Sequence, residues 1–244
     1  FNFVDAGDVI VFDTKGMLLL DETVKAVRNA LKNLDNAVIP GFYGRTTEGY
    51  IKTFSRGGSD VTGSIIANAV KAEIYENWTD VSGFLVADPR IVDNPDVIEV
   101  ITYRELRELA YMGASVLHED AIFPVRSAGI PINIKNTNRP QDAGTMIVSD
   151  DFDFSKESLN HTITGIAGRK GFSTINIEKA MMNSETGFGM KVLKVLYENG
   201  ISFEHMPSGI DTMSITVDSA KLNPVREKVI AEIRKEVSPD HLEI

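Results

Sequence analysis

Cysteine is absent from the 244 residues, which excludes disulfides and thiolate metal sites. The four histidines are scattered without a paired spacing, so no histidine metal site is expected, and no resident protein-metal centre at all. Basic residues are in the minority: Lys and Arg total 25 against 35 Asp and Glu, for a net charge of −10. A duplex nucleic-acid binder needs a basic face, and no Lys/Arg cluster supplies one. The same balance permits a phosphorylated small molecule, because a few local Arg and Gly residues suffice for that. No apolar run approaches the ~20 residues of a membrane span, and no secretory signal is recognisable. The expectation is a cytoplasmic protein with neither membrane nor nucleic-acid partners. The chain opens with Phe1-Asn2-Phe3-Val4 rather than Met, which reads as a cut end.

What is present is ordinary globular composition, with 43% hydrophobic and 25% charged residues, in a length that suits a medium domain plus a small one. Val9–Phe12 is a short apolar run of strand type. Asp21–Leu34 has helical spacing through Val24, Val27 and Leu31. Val38–Gly44 reads as a buried strand entering a glycine turn, Thr46–Gly49 as a hairpin tip, and Ile51–Phe54 as the returning strand. A helix follows from Asp60 to Tyr75, then a strand around Gly83 (Trp78–Val86), helices over Tyr103–Met112 and Ile122–Ala128, and a strand over Ile130–Ile134. This alternation predicts an α/β domain, layered around a mostly parallel sheet, over residues 1–148. Ser149–Asn160, rich in Asp and Ser, reads as a linker. Residues 161–244 read as a second unit: strands at Ile163–Ile166, Thr174–Glu178, Ile201–His205 and Met213–Val217, with helices at Gly187–Glu198 and Ser219–Val237. That β-α-β-β-α order predicts a ferredoxin-like α+β fold.

Three segments carry chemistry. In Ser55-Arg56-Gly57-Gly58-Ser59-Asp60 a strand delivers two glycines to a helix start. Glycines let the backbone approach a ligand, and the N–H groups of a helix start attract anions. Arg56 adds a planar fork for a carboxylate or phosphate. The run also reads as a plain tight turn, with Asp60 capping and Arg56 solvated. Thr79-Asp80-Val81-Ser82-Gly83, followed by Ala87-Asp88-Pro89-Arg90, places a hydroxyl, carboxylates and a guanidinium after a strand, where ligands of open α/β sheets bind. Polar turn chemistry accounts for the same residues. The third segment, Glu108–His118, is mostly amphipathic helix; His118 can act as a base, although a lone histidine is more often packed or solvated.

In this order and spacing the three segments resemble the aspartate kinase branch of the amino-acid kinase family. The Glu-Leu-Ala-Tyr-x-Gly-Ala-x-Val-Leu-His helix, with Asn136-Thr137, Pro140 and Gly144-Thr145 after it, is the most specific part. The resemblance runs from about Asp5 to the end. It implies that Arg56 grips the substrate carboxylate, with Gly57, Gly58, Ser59 and Asp60 lining the same pocket and Arg56 and Asp60 taking catalytic roles. It implies that Thr79, Asp80, Asp88 and Arg90 surround ATP. The implied reaction moves the γ-phosphoryl group of ATP, with Mg²⁺ bridging the phosphates, to the side-chain carboxylate of L-aspartate. The product, 4-phospho-L-aspartate, enters lysine, threonine and methionine synthesis.

The second unit resembles an ACT regulatory domain, which implies feedback by an end-product amino acid, lysine or threonine, and pairing into a homodimer. The implied effector residues are Met182, Ser184, Gly187, Phe188 and Gly189 around a helix start, with Ser202 and Glu204 on the next strand facing the ligand amine. Without the resemblance, the same loop is an ordinary polar one. Departures from the family pattern are Leu85, where many members have tyrosine, Ser115, where many have lysine, and the lack of a Lys-Phe-Gly-Gly segment, whose place is before Phe1. The chain alone is therefore expected to be inactive, and the competing expectation is a regulatory fragment that binds an amino acid and dimerises. A sister kinase acting on another acid is a third reading. A second ACT unit is expected beyond Ile244.

Overall fold

The computed structural model describes residues 1–112, 117, 119–154 and 163–244. The chain divides into two compact units, Phe1–Gly168 and Arg169–Ile244.

The first unit runs β1 (Asn2–Phe3), α1 (Ala6–Val9), β2 (Val11–Phe12), α2 (Leu20–Leu31), β3 (Ala37–Val38), β4 (Tyr43–Thr46), β5 (Ile51–Thr53), α3 (Gly58–Val70), β6 (Tyr75–Thr79), β7 (Val100–Thr102), α4 (Tyr103–Tyr111), α5 (Glu119–Ser127), β8 (Ile132–Asn136) and β9 (Thr145–Val148). The sheets are mixed rather than mostly parallel. β1 pairs in parallel with β3, and β2 in parallel with β4, which turns back antiparallel into β5. The largest sheet has the order β6-β8-β9-β7, parallel at both ends and antiparallel between β8 and β9. Ile101, Ile132, Ile134 and Ile147 are fully buried in it, each stabilising the fold by roughly 1.5–3 kcal/mol relative to exposure. α3 has apolar residues on more than one side, because Val61 and Ile65 pack with Ile10 and Val27 while Ala67 joins the core of the largest sheet.

Several expected boundaries differ. The helix predicted to Tyr75 stops at Val70, where Lys71 turns left-handed at φ 54° and its N–H closes onto Ala67 and Asn68 carbonyls. The strand predicted over Trp78–Val86 is instead β6, ending at Thr79. Gly83, at φ 118°, turns the chain so that Thr145 fills the space a side chain would need: a Cβ there would lie 2.3 Å from Thr145 Oγ1. Phe84–Val86 then pairs locally with Asp96–Ile98. Ile163–Ile166 is not a strand of the second unit. The Ile166 N–H donates to the Val86 carbonyl at 2.7 Å, within the first unit, so the division falls later than residue 161. Of the expected linker, residues 155–160 lie outside the described residues.

The second unit runs β10 (Phe172–Glu178), α6 (Phe188–Glu198), β11 (Phe203–His205), β12 (Thr212–Asp218), α7 (Ser219–Leu222), α8 (Arg226–Val237) and β13 (His241–Glu243). Its sheet is antiparallel throughout in the order β11-β12-β10-β13, the ferredoxin-like arrangement, with a final strand that the sequence reading lacked. The long helix predicted from Ser219 is interrupted by a 3-10 turn at Asn223–Val225, because Pro224 cannot continue the backbone ladder. Ile175, Ile177, Met213, Ile215 and Val217 line one face of the sheet and meet Val192, Val195, Leu196, Val229 and Ile233 from the helices. Among the described residues no helix is long and apolar enough to cross a membrane.

Candidate functional site

The start of α3 is built for close backbone approach. Gly57 caps it in the left-handed region (φ 59°, ψ 24°), with no side chain capping the first turn. Gly58 is buried, and a Cβ on it would fall 2.8 Å from Phe42 Cα and 2.9 Å from Phe54 Cβ. Gly41 presses equally close, within 2.9 Å of Ser59 Cα for its own missing Cβ. Phe42 adopts φ 69°, unusual for a bulky residue, and its N–H donates to Thr62 Oγ1 at 3.2 Å. The Thr62 hydroxyl in turn donates to the Gly58 carbonyl at 2.7 Å. The loop before β4 and the first turn of α3 are thus bolted together, with Arg56 and Ser59 exposed and Asp60 half-buried at their rim.

Asp60 reaches across to β6. Asn77 Nδ2 donates to Asp60 Oδ1 at 3.0 Å and contacts the Tyr75 hydroxyl at 3.1 Å, while that hydroxyl donates to the Asp60 carbonyl at 3.3 Å. Burial raises the Tyr75 pKa, the Asp60 charge adds to the shift and the Asn77 contact opposes it. Asp60 lies beside Asn77 and Gly63 beside Tyr75, so α3 runs antiparallel to β6 and begins near that strand's carboxyl end. Thr79 follows Asn77 by two residues and shares its face. The Thr79 hydroxyl donates to Asp80 Oδ1 at 3.2 Å, and its carbonyl accepts from the Thr137 N–H and hydroxyl at 2.9 Å each. The Arg56–Asp60 and Thr79–Asp80 segments therefore converge on one end of α3 and β6.

Asp88 and Arg90 do not join them through any hydrogen bond or ion pair among the described residues. They pair with each other instead: Arg90 Nε and Nη2 donate to the Asp88 carboxylate at 2.7–3.1 Å, and the Arg90 N–H adds a bond at 2.8 Å. The Arg90 side-chain and backbone bonds hold the Asp88 pKa down at about 2. The Arg90 side chain is 86% exposed. Leu85 is half-buried opposite Val97. Ser115 and His118 lie outside the described residues. Among those described, no three carboxylate, imidazole or thiol groups gather where a metal could sit.

In the second unit the expected effector residues divide. Met182 and Phe188 are core residues, 4% exposed each, so their side chains are unavailable to a ligand and only their backbone can face one. Gly187 caps α6 at φ 78° without a side-chain bond. Gly189 packs near Met213 Cε, and Ser184 and Ser202 are exposed and Glu204 half-buried. Sequence reading missed the side chains that shape this loop. Glu185 accepts from Lys179 at 2.5 Å and from Lys191 at 2.6 Å, and these bonds lower its pKa. Lys179 also donates to the Val237 carbonyl at 2.6 Å.

In the first unit, reading missed Phe42, Thr62, Tyr75 and Asn77. Asn77 alone left a trace: an amide at an inward position between Tyr75 and Thr79, where a sheet interior ordinarily takes an aliphatic residue.

The sequence profile described as the Amino acid kinase family matches residues 7–136. Aspartokinase 3 of Bacillus subtilis is 41% identical over 243 residues, covering 99% of this chain and 52% of that protein. A crystal structure of the Clostridium acetobutylicum aspartate kinase, described as an allosteric enzyme, is 54% identical with a TM-score of 0.84, covering 99% of this chain and 54% of that one. E. coli aspartokinase III, solved with lysine and aspartate, shares the fold at 22% identity and a TM-score of 0.67, covering 99% of this chain and 54% of that one. This chain spans about half the length of these relatives.

Proposed function

This chain belongs to the amino acid kinase family, and from that premise we propose that it is part of an aspartate kinase. The observation that carries the proposal is the Asp60–Asn77 bond, which joins the anion-attracting start of α3 to the strand that ends at Thr79. In this reading the Arg56 guanidinium and the first N–H groups of α3 hold a carboxylate of L-aspartate, with Gly57, Gly58 and Ser59 shaping the pocket. Asp60 orients the substrate. Thr79 and Asp80 hold ATP, and Asp88 and Arg90 close on it from the neighbouring loop. The β-carboxylate oxygen of aspartate forms a bond to the γ-phosphorus as the bond to the bridging oxygen of ADP breaks, giving 4-phospho-L-aspartate.

Magnesium, when bound with ATP, would neutralise charge on the phosphates. Asp80, an exposed carboxylate just after β6, would be the residue to hold it, since this ion is usually bound through one or two carboxylates together with substrate phosphates.

The second unit acts, on the same proposal, as an ACT regulatory domain that binds lysine or threonine and pairs subunits into a homodimer. Its ferredoxin-like topology and the allosteric character of the C. acetobutylicum relative support this reading. A layered kinase domain and a cytoplasmic location accompany the proposal.

The test is a substrate-panel assay on the full-length enzyme with aspartate, glutamate and acetylglutamate. Aspartate is the expected acceptor, and Arg56→Ala is expected to weaken its binding by about 2–5 kcal/mol, the range for stranding a desolvated charge. Phosphorylation of glutamate or acetylglutamate in place of aspartate overturns the substrate assignment, and an unchanged aspartate KM in Arg56→Ala overturns the role of that residue.

A further inference from the structure

Asn77 is only 7% exposed, in a strand paired along its length with β8. A buried amide is costly unless its hydrogen bonds are made. Its Nδ2 lies 3.0 Å from Asp60 Oδ1 and 3.1 Å from the Tyr75 hydroxyl, and the Tyr75 hydroxyl lies 3.3 Å from the Asp60 carbonyl. The three residues form a closed ring that grips Asp60 by side chain and main chain together. Gly63 makes room for the ring, since a Cβ there would stand 2.6 Å from the Tyr75 hydroxyl. Three positions, Gly63, Tyr75 and Asn77, thus serve to hold Asp60, Asn77 by its carboxylate and Tyr75 by its main-chain carbonyl. The amide is a neutral donor, so it orients the Asp60 charge without cancelling it.

We propose that Asn77 is a positioning residue for phosphoryl transfer, fixing the Asp60 carboxylate at the start of α3 relative to the strand that carries Thr79. The inference rests on the aspartate kinase reading of Asp60 and Thr79 given above. Acceptor and donor must be aligned within a fraction of an ångström for transfer, and the ring is a rigid link between the segment assigned to the acceptor and the segment assigned to the nucleotide. Asn77 touches neither substrate; it acts through Asp60.

The experiment is steady-state kinetics of the full-length enzyme with Asn77→Leu, Asp60→Asn and the double variant, each checked for its melting temperature. Asn77→Leu keeps the branched heavy-atom shape and removes the donor. It is expected to lower kcat on the order of 10–100-fold while the aspartate KM moves less than about threefold. Adding Asn77→Leu to Asp60→Asn is expected to cost less than about twofold more, because residues acting as one unit are not additive. Losses that multiply in the double variant, or a kcat unchanged in Asn77→Leu, overturn the proposal. If Asn77→Leu does not fold, Tyr75→Phe opens the ring by one hydroxyl: a severalfold fall in kcat that vanishes in the Asp60→Asn background supports the role, and an unaltered kcat overturns it. A wild-type enzyme that does not phosphorylate aspartate fails the parent reading, and that outcome is seen in the control before any variant is compared.

Discussion

Asp88 and Arg90 are two residues apart in an exposed loop, and each is the other's principal partner. The Arg90 side chain and N–H keep the Asp88 pKa near about 2, whereas an unperturbed aspartate titrates near ~3.9. A carboxyl depressed on folding favours the folded chain above the unperturbed value, and that contribution is lost as pH falls through the folded one. The pair is solvated, so its worth to stability is small, and the informative quantity is the titration itself. Carbon-detected NMR is expected to place the Asp88 midpoint near about 2, and Arg90→Ala is expected to return it toward ~3.9. Addition of ATP and magnesium, if Arg90 turns to the nucleotide as proposed, raises the Asp88 midpoint in the wild type. An ordinary midpoint in the unliganded wild type contradicts the pairing. Sequence reading found these two residues as a motif but not as a pair, because Asp-Pro-Arg is equally good turn chemistry. Thr62 was illegible for another reason: a threonine on a helix gives no sign that its hydroxyl joins Gly58 to a left-handed Phe42.

Among the elements, α4 shows a complete local instruction. The Thr102 hydroxyl accepts from the Glu105 N–H at 3.2 Å, and the Glu105 carboxylate accepts from the Thr102 N–H at 2.9 Å, the reciprocal capping box. Desolvation raises the Glu105 pKa, but hydrogen bonds from Thr164 and Thr102 outweigh it and leave the carboxyl lowered. Thr102→Ala is expected to destabilise the first unit by about 0.5–2 kcal/mol, measured by urea unfolding, and no loss means the cap is redundant with the packing of Tyr103 and Leu106. The helices were legible because their apolar residues recur at helical spacing, as Leu106 and Leu109 do here. The strands β7, β9 and β13 are three or four residues long, too short for alternation to declare itself. The end of α3 was hidden because Ala72 and Tyr75 continue its apolar rhythm while Lys71, with no glycine to mark it, turns the chain away.

At the scale of the molecule, Arg169–Ile244 has the marks of a domain that folds without help. Its core is contiguous and drawn from every long element: β10, α6, β12 and α8 all contribute residues below 3% exposure, among them Ile175, Val192, Ile215 and Ile233. The antiparallel sheet is closed from both sides in sequence, since β13 returns to pair with β10, the first strand. The Lys179–Glu185–Lys191 cluster fixes the one long loop ahead of α6. The sequence order predicted this topology because alternation in Met213–Val217 and helical spacing in α6 each point to the same buried face, whereas the first unit's mixed sheets depend on pairings between distant, short strands.

A domain of this size is marginal in general, so the expectation is specific. Arg169–Ile244 expressed alone melts cooperatively by circular dichroism and has dispersed amide resonances. Ile215→Ala, which empties the centre of β12, costs about 2–5 kcal/mol, a large part of the roughly 5–15 kcal/mol that a typical domain possesses. The isolated variant is then largely unfolded or melts far lower. Tyr197→Ser, on the exposed side of α6, leaves the transition where it was. Should the wild-type unit show no cooperative melting, its core is not self-sufficient, and the compact division at Gly168–Arg169 does not mark an independent folding unit.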